Sequence, residues 1–193
     1  MAVSTGASSP DGSIRAASCS GPTACCTYRQ WGCPYSSNPD EPNVGYVLRF
    51  NAATGAFVDQ FASNQTVPEL HRPEGLVFDK DGNLWVTSFR GVSGGSDQIL
   101  KLSGKTGARL DSLVLWAGTA PRAYAKAILF GPGNKLYIPI SSGDPTTAGQ
   151  LRRCDVATKA CAIIAPAGNP LQIPDYLIFK NSDPATLDYG GGE

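Results

Sequence analysis

The sequence has no excess of charge of either sign. Its 193 residues include 16 Lys and Arg and 16 Asp and Glu. Proteins that bind nucleic acids or anionic membranes use basic surface patches, so this balance argues against both kinds of partner. No apolar run approaches the ~18 residues of a transmembrane helix, so we expect no membrane span.

Long helical patterns are also missing. Every stretch of helix length is interrupted by glycine or proline, or spaces its apolar residues with a period of two. Gly (22) and Pro (15) are abundant and charged residues make up only 17%. Aromatic and β-branched residues are nevertheless too frequent for a disordered chain. The composition is typical of an all-β protein with many short strands and tight turns.

The six cysteines form two groups, and neither has the spacing of a zinc site. We therefore predict disulfides and an extracellular, oxidising location. Residues 1–13 show no basic start followed by an apolar core, so they are not a signal peptide. The cysteines favour a leader already removed over Met1 as an expression artefact. The two groups are Cys19, Cys25, Cys26 and Cys33, and Cys154 and Cys161.

A 52-residue unit repeats along the chain, and part of it is a predicted hairpin. Residues 46–61 align with residues 98–113, and both copies carry Thr-Gly-Ala at the turn. A third copy begins at Gln150. A repeat of this length points to a propeller or a solenoid.

The other part of the unit repeats at the same offset. Residues 73–89 align with residues 125–141, with Phe78 over Phe130, and a third copy, Pro174–Tyr189, comes three residues early. Each copy reads as a buried apolar strand, a turn and a second β-rich strand. Together with the hairpin this makes four antiparallel strands, which is the blade of an all-β propeller.

The third hairpin contains two cysteines at symmetric positions. If its turn centres on Ala157 and Thr158, Cys154 and Cys161 face each other across adjacent strands. Cross-strand Cβ atoms lie about 4.5–5.5 Å apart, close to the roughly 3.5–4.5 Å that a disulfide needs. We therefore predict a Cys154–Cys161 bridge, which should contribute about 2–3 kcal/mol.

Two segments resemble the signature of NHL-repeat and gluconolactonase-type propellers. They are Arg72–Val86, which reads RPEGLVFDKDGNLWV, and Val47–Asn51, which is followed by Thr54 and Gly55. The resemblance covers about Gly45–Tyr189. It implies a propeller fold with six-bladed relatives, many of them secreted. It does not imply one activity, because this superfold hosts lactonases, lyases and pure binding modules.

The number of repeats is low for a closed propeller. We expect a cysteine-rich segment over residues 1–44 and propeller repeats over residues 45–193. The repeats begin with the outer half of a blade and end with an inner half, which could pair to close a ring of three. Three other solutions are open: a degenerate blade over Ser18–Ser37, two chains sharing one ring through exposed blade edges, or a fragment of a longer protein.

The start of each innermost strand lines the mouth of a propeller channel, where ligands usually bind. In the repeat, these positions are Glu74, Lys126 and Asp175, and His71 and Arg72 directly precede the first. Glu74 and Asp175 could hold a divalent cation such as Ca²⁺. The resemblance implies that such an ion would polarise a lactone carbonyl. Lys126 in the same ring and the lack of a third ligand count against the cation.

Two further candidates for a functional role can also be explained as ordinary structural features. His71, with Glu74 three residues away, could act as a general base in a propeller lyase, although a histidine in such a loop is more often a surface residue. Residues 79–83, DKDGN, imitate the start of a calcium loop but lack the closing glutamate. We therefore predict an ordinary turn there, with Gly82 at positive φ.

Aromatic residues lie among the clustered cysteines. Trp31, Tyr28 and Tyr35 could stack on sugars or bind a protein, or they could pack over the disulfides as a small core. The four N-terminal cysteines allow three pairings, of which one with adjacent Cys25 and Cys26 bridged is disfavoured.

These observations favour a secreted β-propeller-type binding or assembly module that takes a glycan or protein ligand or associates with itself. The rival hypothesis is a metal-dependent lactonase-like hydrolase or a lyase. No G-x-S-x-G, P-loop or H-E-x-x-H motif is present.

Overall fold

The computed structural model describes residues 5–8, 14–20, 45–51, 54–89, 95–118, 121–168 and 170–179. Within these ranges the chain forms β-strands, one 3₁₀ turn at Pro132–Asn134 and no α-helix. The strands are β1 Thr5–Ser8, β2 Ile14–Ser20, β3 Gly45–Asn51, β4 Phe57–Ser63, β5 Leu76–Phe78, β6 Leu84–Ser88, β7 Asp97–Leu102, β8 Arg109–Trp116, β9 Ala123–Tyr124, β10 Leu129–Gly131, β11 Lys135–Pro139, β12 Ser142–Gly143, β13 Leu151–Cys154 and β14 Cys161–Ala165.

Twelve of these strands form three antiparallel four-stranded sheets. Sheet I has the order β1-β2-β3-β4, sheet II has β5-β6-β7-β8, and sheet III has β10-β11-β13-β14. The short strands β9 and β12 pair separately. In sheets I and II each strand pairs with the next one along the chain, as in a propeller blade. The fold is therefore all-β and propeller-like, and the described residues show three four-stranded sheets without a closed ring.

The 52-residue repeat extends to the register of the strands. Arg49 pairs with Asp59 in sheet I, and Lys101 pairs with Asp111 in sheet II. Each pairing is followed by a register shift at the next residue. Equal register and an equal irregularity show that the repeated sequence builds the same hairpin twice.

The inner strands follow the repeat in sheets II and III but not in sheet I. Leu84 pairs with Leu102, and Leu136 pairs with Cys154, again 52 residues on. In sheet I the repeat would place residue 32 opposite Phe50, yet Arg15 lies there, 17 residues earlier. The pairing of residues 45–61 with Pro174–Tyr189 was therefore the wrong closure. Strands β1 and β2 complete this sheet, because the extra residues in the sequence fall between β2 and β3, where the repeat gives no guide.

Two apolar clusters hold the sheets together. Trp85, Ile99 and Leu136 belong to one cluster, and Val47 and Leu100 belong to the other. Each is almost fully buried. Burial of a side chain of this size contributes roughly 1.5–3 kcal/mol, so these clusters are the main source of stability.

The predicted bridge between Cys154 and Cys161 is confirmed. The two residues pair directly between β13 and β14, with their Cα atoms 4.0 Å apart. The Asp155 carboxylate accepts hydrogen bonds from the backbone N–H groups of Ala157 and Thr158, and it also pairs with Lys135. The turn is thus fixed by both the side chain and the disulfide.

Among the residues that the structure describes, no helix has the length and apolar character needed to cross a bilayer.

Candidate functional site

The predicted channel-mouth residues lie in three connecting segments. His71, Arg72 and Glu74 are in the loop between β4 and β5, Lys126 lies between β9 and β10, and Asp175 is in the segment 170–179. Lys126 Nζ lies 2.9 Å from Asp175 Oδ1, so the structure brings these two together. The Ser141 hydroxyl donates to the carbonyl of Pro174 and holds the same segment.

The end of β6 fixes the loop that carries Glu74. The Thr87 hydroxyl accepts hydrogen bonds from the backbone N–H groups of Glu74 (3.1 Å) and Gly75 (2.8 Å). A Cβ on Gly75 would come within 2.7 Å of the Lys126 carbonyl oxygen, so only glycine allows the two loops to approach this closely. His71 is held through its backbone, because Phe89 N–H donates to its carbonyl and the Ser88 hydroxyl accepts from its N–H.

Arg72 adopts an unusual backbone conformation. Its φ is +46° although it is not glycine and directly precedes Pro73. A residue in this region costs about 1–3 kcal/mol unless its surroundings fix it, and proline restricts it further. Its guanidinium lies 5.0 Å from the centre of the Phe89 ring and 3.7 Å from the Glu74 carboxylate. These contacts hold the strained residue in place.

A second arginine, Arg122 in the connection between β8 and β9, contacts the same Phe89 ring. The Arg122 guanidinium lies 4.1 Å from the Phe89 ring centre and 5.9 Å from that of Trp116. It also donates two hydrogen bonds to Asp97, from Nε (2.7 Å) and from an Nη (3.1 Å). The Asp97 side chain is fully buried. This bidentate pair therefore sets the position of the guanidinium.

Tyr124 completes the arrangement. Its ring meets Phe89 edge to face at 4.9 Å, and only 3% of the residue is exposed. Its buried hydroxyl lies near the Glu74 carboxylate. Burial raises the pKa of this phenol strongly, and the negative charge of Glu74 raises it further. The hydroxyl therefore keeps its proton at every physiological pH. We call Arg72, Glu74, Phe89, Arg122 and Tyr124 the Phe89 cluster.

The carboxylates do not fit a divalent cation. Glu74 lies beside Arg72, and Asp175 forms an ion pair with Lys126. Across the described ranges, no group of three or more His, Cys, Asp or Glu side chains could hold a metal ion. Glu74 and Asp175 therefore act as ion-pair partners of Arg72 and Lys126. Catalysis by His71 stays a prediction.

The turn that imitates a calcium loop uses its carboxylate for structure. Asp79 accepts hydrogen bonds from the N–H groups of Asp81 and Asn83 and from Trp85 Nε1, and it pairs with Lys101. Gly82 has φ +77°, as predicted for the turn.

The sequence-based candidates missed three members of the Phe89 cluster: Phe89, Arg122 and Tyr124. One signal was available, because Tyr124 aligns with Arg72 at the offset of 52. Asp97 and Trp116 carried no such signal. Asp97 is the first residue of β7 and Trp116 is the last residue of β8, so neither lies at a loop position that the repeat marks.

The remaining candidates lie in the N-terminal part of the chain. Tyr28, Trp31 and Tyr35 lie outside the described residues, as do Cys25, Cys26 and Cys33. Cys19 lies in β2. Their roles and pairing stay predictions.

Comparisons with known proteins give no family. No family model matches the chain, and no curated protein matches it. Among solved structures it is similar to a luciferin-regenerating enzyme, a β-propeller, at 24% identity and a TM-score of 0.35. That alignment covers 50% of this chain and 30% of the other.

Proposed function

We propose that the chain is a secreted binding module of the NHL-repeat type whose ligand, a glycan or a protein, contacts the Phe89 cluster. The observation that carries this proposal is the strained Arg72, held over Phe89 beside Glu74. Strain of this kind is retained where surrounding contacts require it, and such positions concentrate at ligand-contacting sites.

The chemistry of the cluster suits a neutral polar ligand. Arg72 and Arg122 are both partly exposed and present hydrogen-bond donors, while Glu74, also partly exposed, presents acceptors. The three loop cations Arg72, Arg122 and Lys126 are matched in number by the carboxylates of Glu74, Asp97 and Asp175, so the site carries no net charge. Hydroxyl and amide groups can pair with both donors and acceptors, and a glycan or a polypeptide segment supplies them.

A binding screen with matched variants tests this proposal. The purified chain would be applied to an array of immobilised oligosaccharides beside Arg72→Ala and Arg109→Ala. Arg109 is a suitable control because it lies on the outer strand β8 and its ion pair with Glu69 is exposed. We expect Arg72→Ala to reduce binding at least tenfold and Arg109→Ala to leave it unchanged. Equal binding by both variants would place the ligand elsewhere, and a blank array would exclude the glycan form of the proposal.

A second observation favours self-association. Sheet III ends in exposed apolar residues, Ile163 and Ile164 on β14, and the next segment exposes Tyr176 (75%) and Ile178 (77%). Sheets of this fold bury their faces against neighbouring sheets, so we propose that a second copy covers this face.

The molar mass in solution tests the association. Light scattering should give a mass above the 20.2 kDa of one chain. Ile178→Asp should return the mass to one chain, while Leu110→Asp, an equally apolar exposed position on β8, should not. A monomeric wild-type chain would rule the association out.

The extracellular location rests on the confirmed disulfide, which is compatible with secretion. Recovery of the oxidised protein from the medium of its source cells would support it, and recovery only from the cytosol would contradict it.

A further inference from the structure

One surface turn carries a modification motif that neither the fold nor the binding proposal uses. Asn64-Gln65-Thr66 is the single Asn-Xaa-Ser/Thr triplet in the sequence in which Xaa is not proline. Such a triplet is the acceptor for N-linked glycosylation when it lies on a surface loop of a secreted protein. The structure allows that context to be checked.

The turn places the triplet outside the core. Ser63 and Val67, on either side of it, are almost completely buried, whereas Gln65 and Thr66 are exposed and Asn64 is half-buried. Two buried anchors with three more exposed residues between them make an outward turn. A sugar attached at this turn would extend into solvent without displacing core side chains.

The fold does not use the Asn64 carboxamide. The turn is closed by the backbone N–H groups of Thr66 and Val67, which donate to the Ser63 carbonyl, and by the Thr66 hydroxyl, which bonds to the same residue. The Asn64 backbone N–H donates to the carbonyl of Gly45. Its side-chain amide has no hydrogen bond to any residue that the structure describes, so a modification at that nitrogen removes no fold contact.

We propose that Asn64 is N-glycosylated. In this reaction Nδ2 of Asn64 forms a bond to the anomeric carbon of a polyprenyl-pyrophosphate-linked oligosaccharide. The bond from that carbon to the pyrophosphate oxygen breaks, polyprenyl pyrophosphate leaves, and the amide nitrogen loses one proton. The proposal rests on the secreted location proposed above, because the glycosyl donor is available only in a secretory compartment.

The glycan would occupy the loop that carries the binding residues. Asn64 opens the connection between β4 and β5, and Arg72 and Glu74 lie further along the same connection. The glycan would also keep this end of sheet I open to solvent, because its bulk prevents another protein from packing closely there.

Expression of the full chain with a secretory leader in eukaryotic cells tests the site. Cell lysate and medium would both be treated with peptide N-glycosidase, which removes the glycan and converts the asparagine to aspartate. We expect an increase in gel mobility and a peptide in which Asn64 has become aspartate. The shift should persist in Gln65→Ala and Thr66→Ser, which keep the motif, and disappear in Asn64→Gln and Thr66→Ala.

Formation of the Cys154–Cys161 bridge in the same sample separates this proposal from secretion itself. A chain that is oxidised but shows no mobility shift would overturn the glycosylation site and leave the location untouched. A shift that survives Asn64→Gln would also overturn it, because the sugar would then be attached elsewhere.

Discussion

The ring of Phe179 meets the ring of Tyr137 edge to face at 4.7 Å, in the arrangement that Phe130 makes with Trp85 at 6.1 Å. Tyr137 is the repeat equivalent of Trp85, and Phe130 belongs to the first strand of sheet III. The segment that contains Phe179 therefore packs on sheet III as the first strand of sheet III packs on sheet II, although no strand is formed between residues 170 and 179. A segment without strand structure therefore covers part of sheet III.

This contact should contribute to stability. Phe179→Ala removes a ring that packs on the apolar cluster between sheets II and III. We expect a loss of about 2 kcal/mol, below the value for a fully buried phenylalanine because Phe179 is only partly buried. Urea unfolding followed by fluorescence measures it. Leu110→Ala, at an exposed position, should change the free energy by less than about 0.5 kcal/mol. Equal losses of stability in Phe179→Ala and Leu110→Ala would mean that the Phe179 ring does not pack on the apolar cluster.

The ion pair between Arg122 and Asp97 should matter more than any exposed pair. Asp97→Asn leaves the guanidinium without its charged partner at a site where the carboxylate is fully buried. We expect a loss of about 3 kcal/mol in the free energy of unfolding. Glu69→Gln breaks the exposed pair with Arg109 and should cost less than about 1 kcal/mol. A small effect of Asp97→Asn would show that Arg122 finds another acceptor.

Asp79 should make the fold sensitive to acid. Burial by itself raises the pKa of Asp79, but the hydrogen bonds from Trp85 and Asn83 and the nearby Lys101 outweigh it, so the net pKa is lowered. A carboxyl of this kind stabilises the fold above its unfolded pKa of about 3.9, and the stabilisation is lost as pH falls through the lower folded-state pKa.

The Asp79→Asn variant tests this directly. It should be less stable at neutral pH by about 1–3 kcal/mol and lose less stability than the wild type when the pH falls from 5 to about 2. Denaturant titrations across this range measure both effects. Asp81→Asn, on the exposed side of the same turn, should follow the wild-type profile. A steeper acid dependence in Asp79→Asn would contradict the assignment.

The disulfide should stabilise sheet III. Replacing both Cys154 and Cys161 by serine removes the bridge across β13 and β14, and we expect a loss of about 2–3 kcal/mol. The buried Cys154 position adds the cost of an unpaired hydroxyl, so Cys154→Ala with Cys161→Ala is the better control for the bridge alone. Unchanged urea midpoints in both double variants would show that the hairpin needs no bridge.

The sequence predicted the parts of the fold that repeat. Hairpins, inner strands and the Cys154–Cys161 bridge were accessible because apolar spacing and turn residues recur every 52 residues. The inner strands of sheet I could not be predicted in this way. Strand β2, Ile14–Ser20, precedes an insertion and carries no copy of the inner-strand pattern. Aligning the sequence with itself finds strands only where the 52-residue spacing is kept.

The candidate site was predicted only in part. Glu74, Arg72, Lys126 and Asp175 were found because the repeat marks the start of each inner strand. Their pairing was not predicted, because the Arg72–Glu74 pair depends on the unusual backbone of one loop and the Lys126–Asp175 pair on how two segments approach in space. Arg122 and Asp97 are 25 residues apart in sequence, and they meet because Asp97 pairs with Trp116, six residues before Arg122.

The most direct measurement of the binding proposal is a titration of the ¹⁵N-labelled chain with the oligosaccharide that gives the strongest array signal. Backbone and arginine side-chain resonances would be followed in the wild type and in Arg72→Ala. The account predicts shifts confined to the Phe89 cluster and its loops in the wild type, and no saturable shifts in the variant. Saturable shifts on the outer strands β4, β8 and β14, with the Phe89 cluster unmoved, would contradict it.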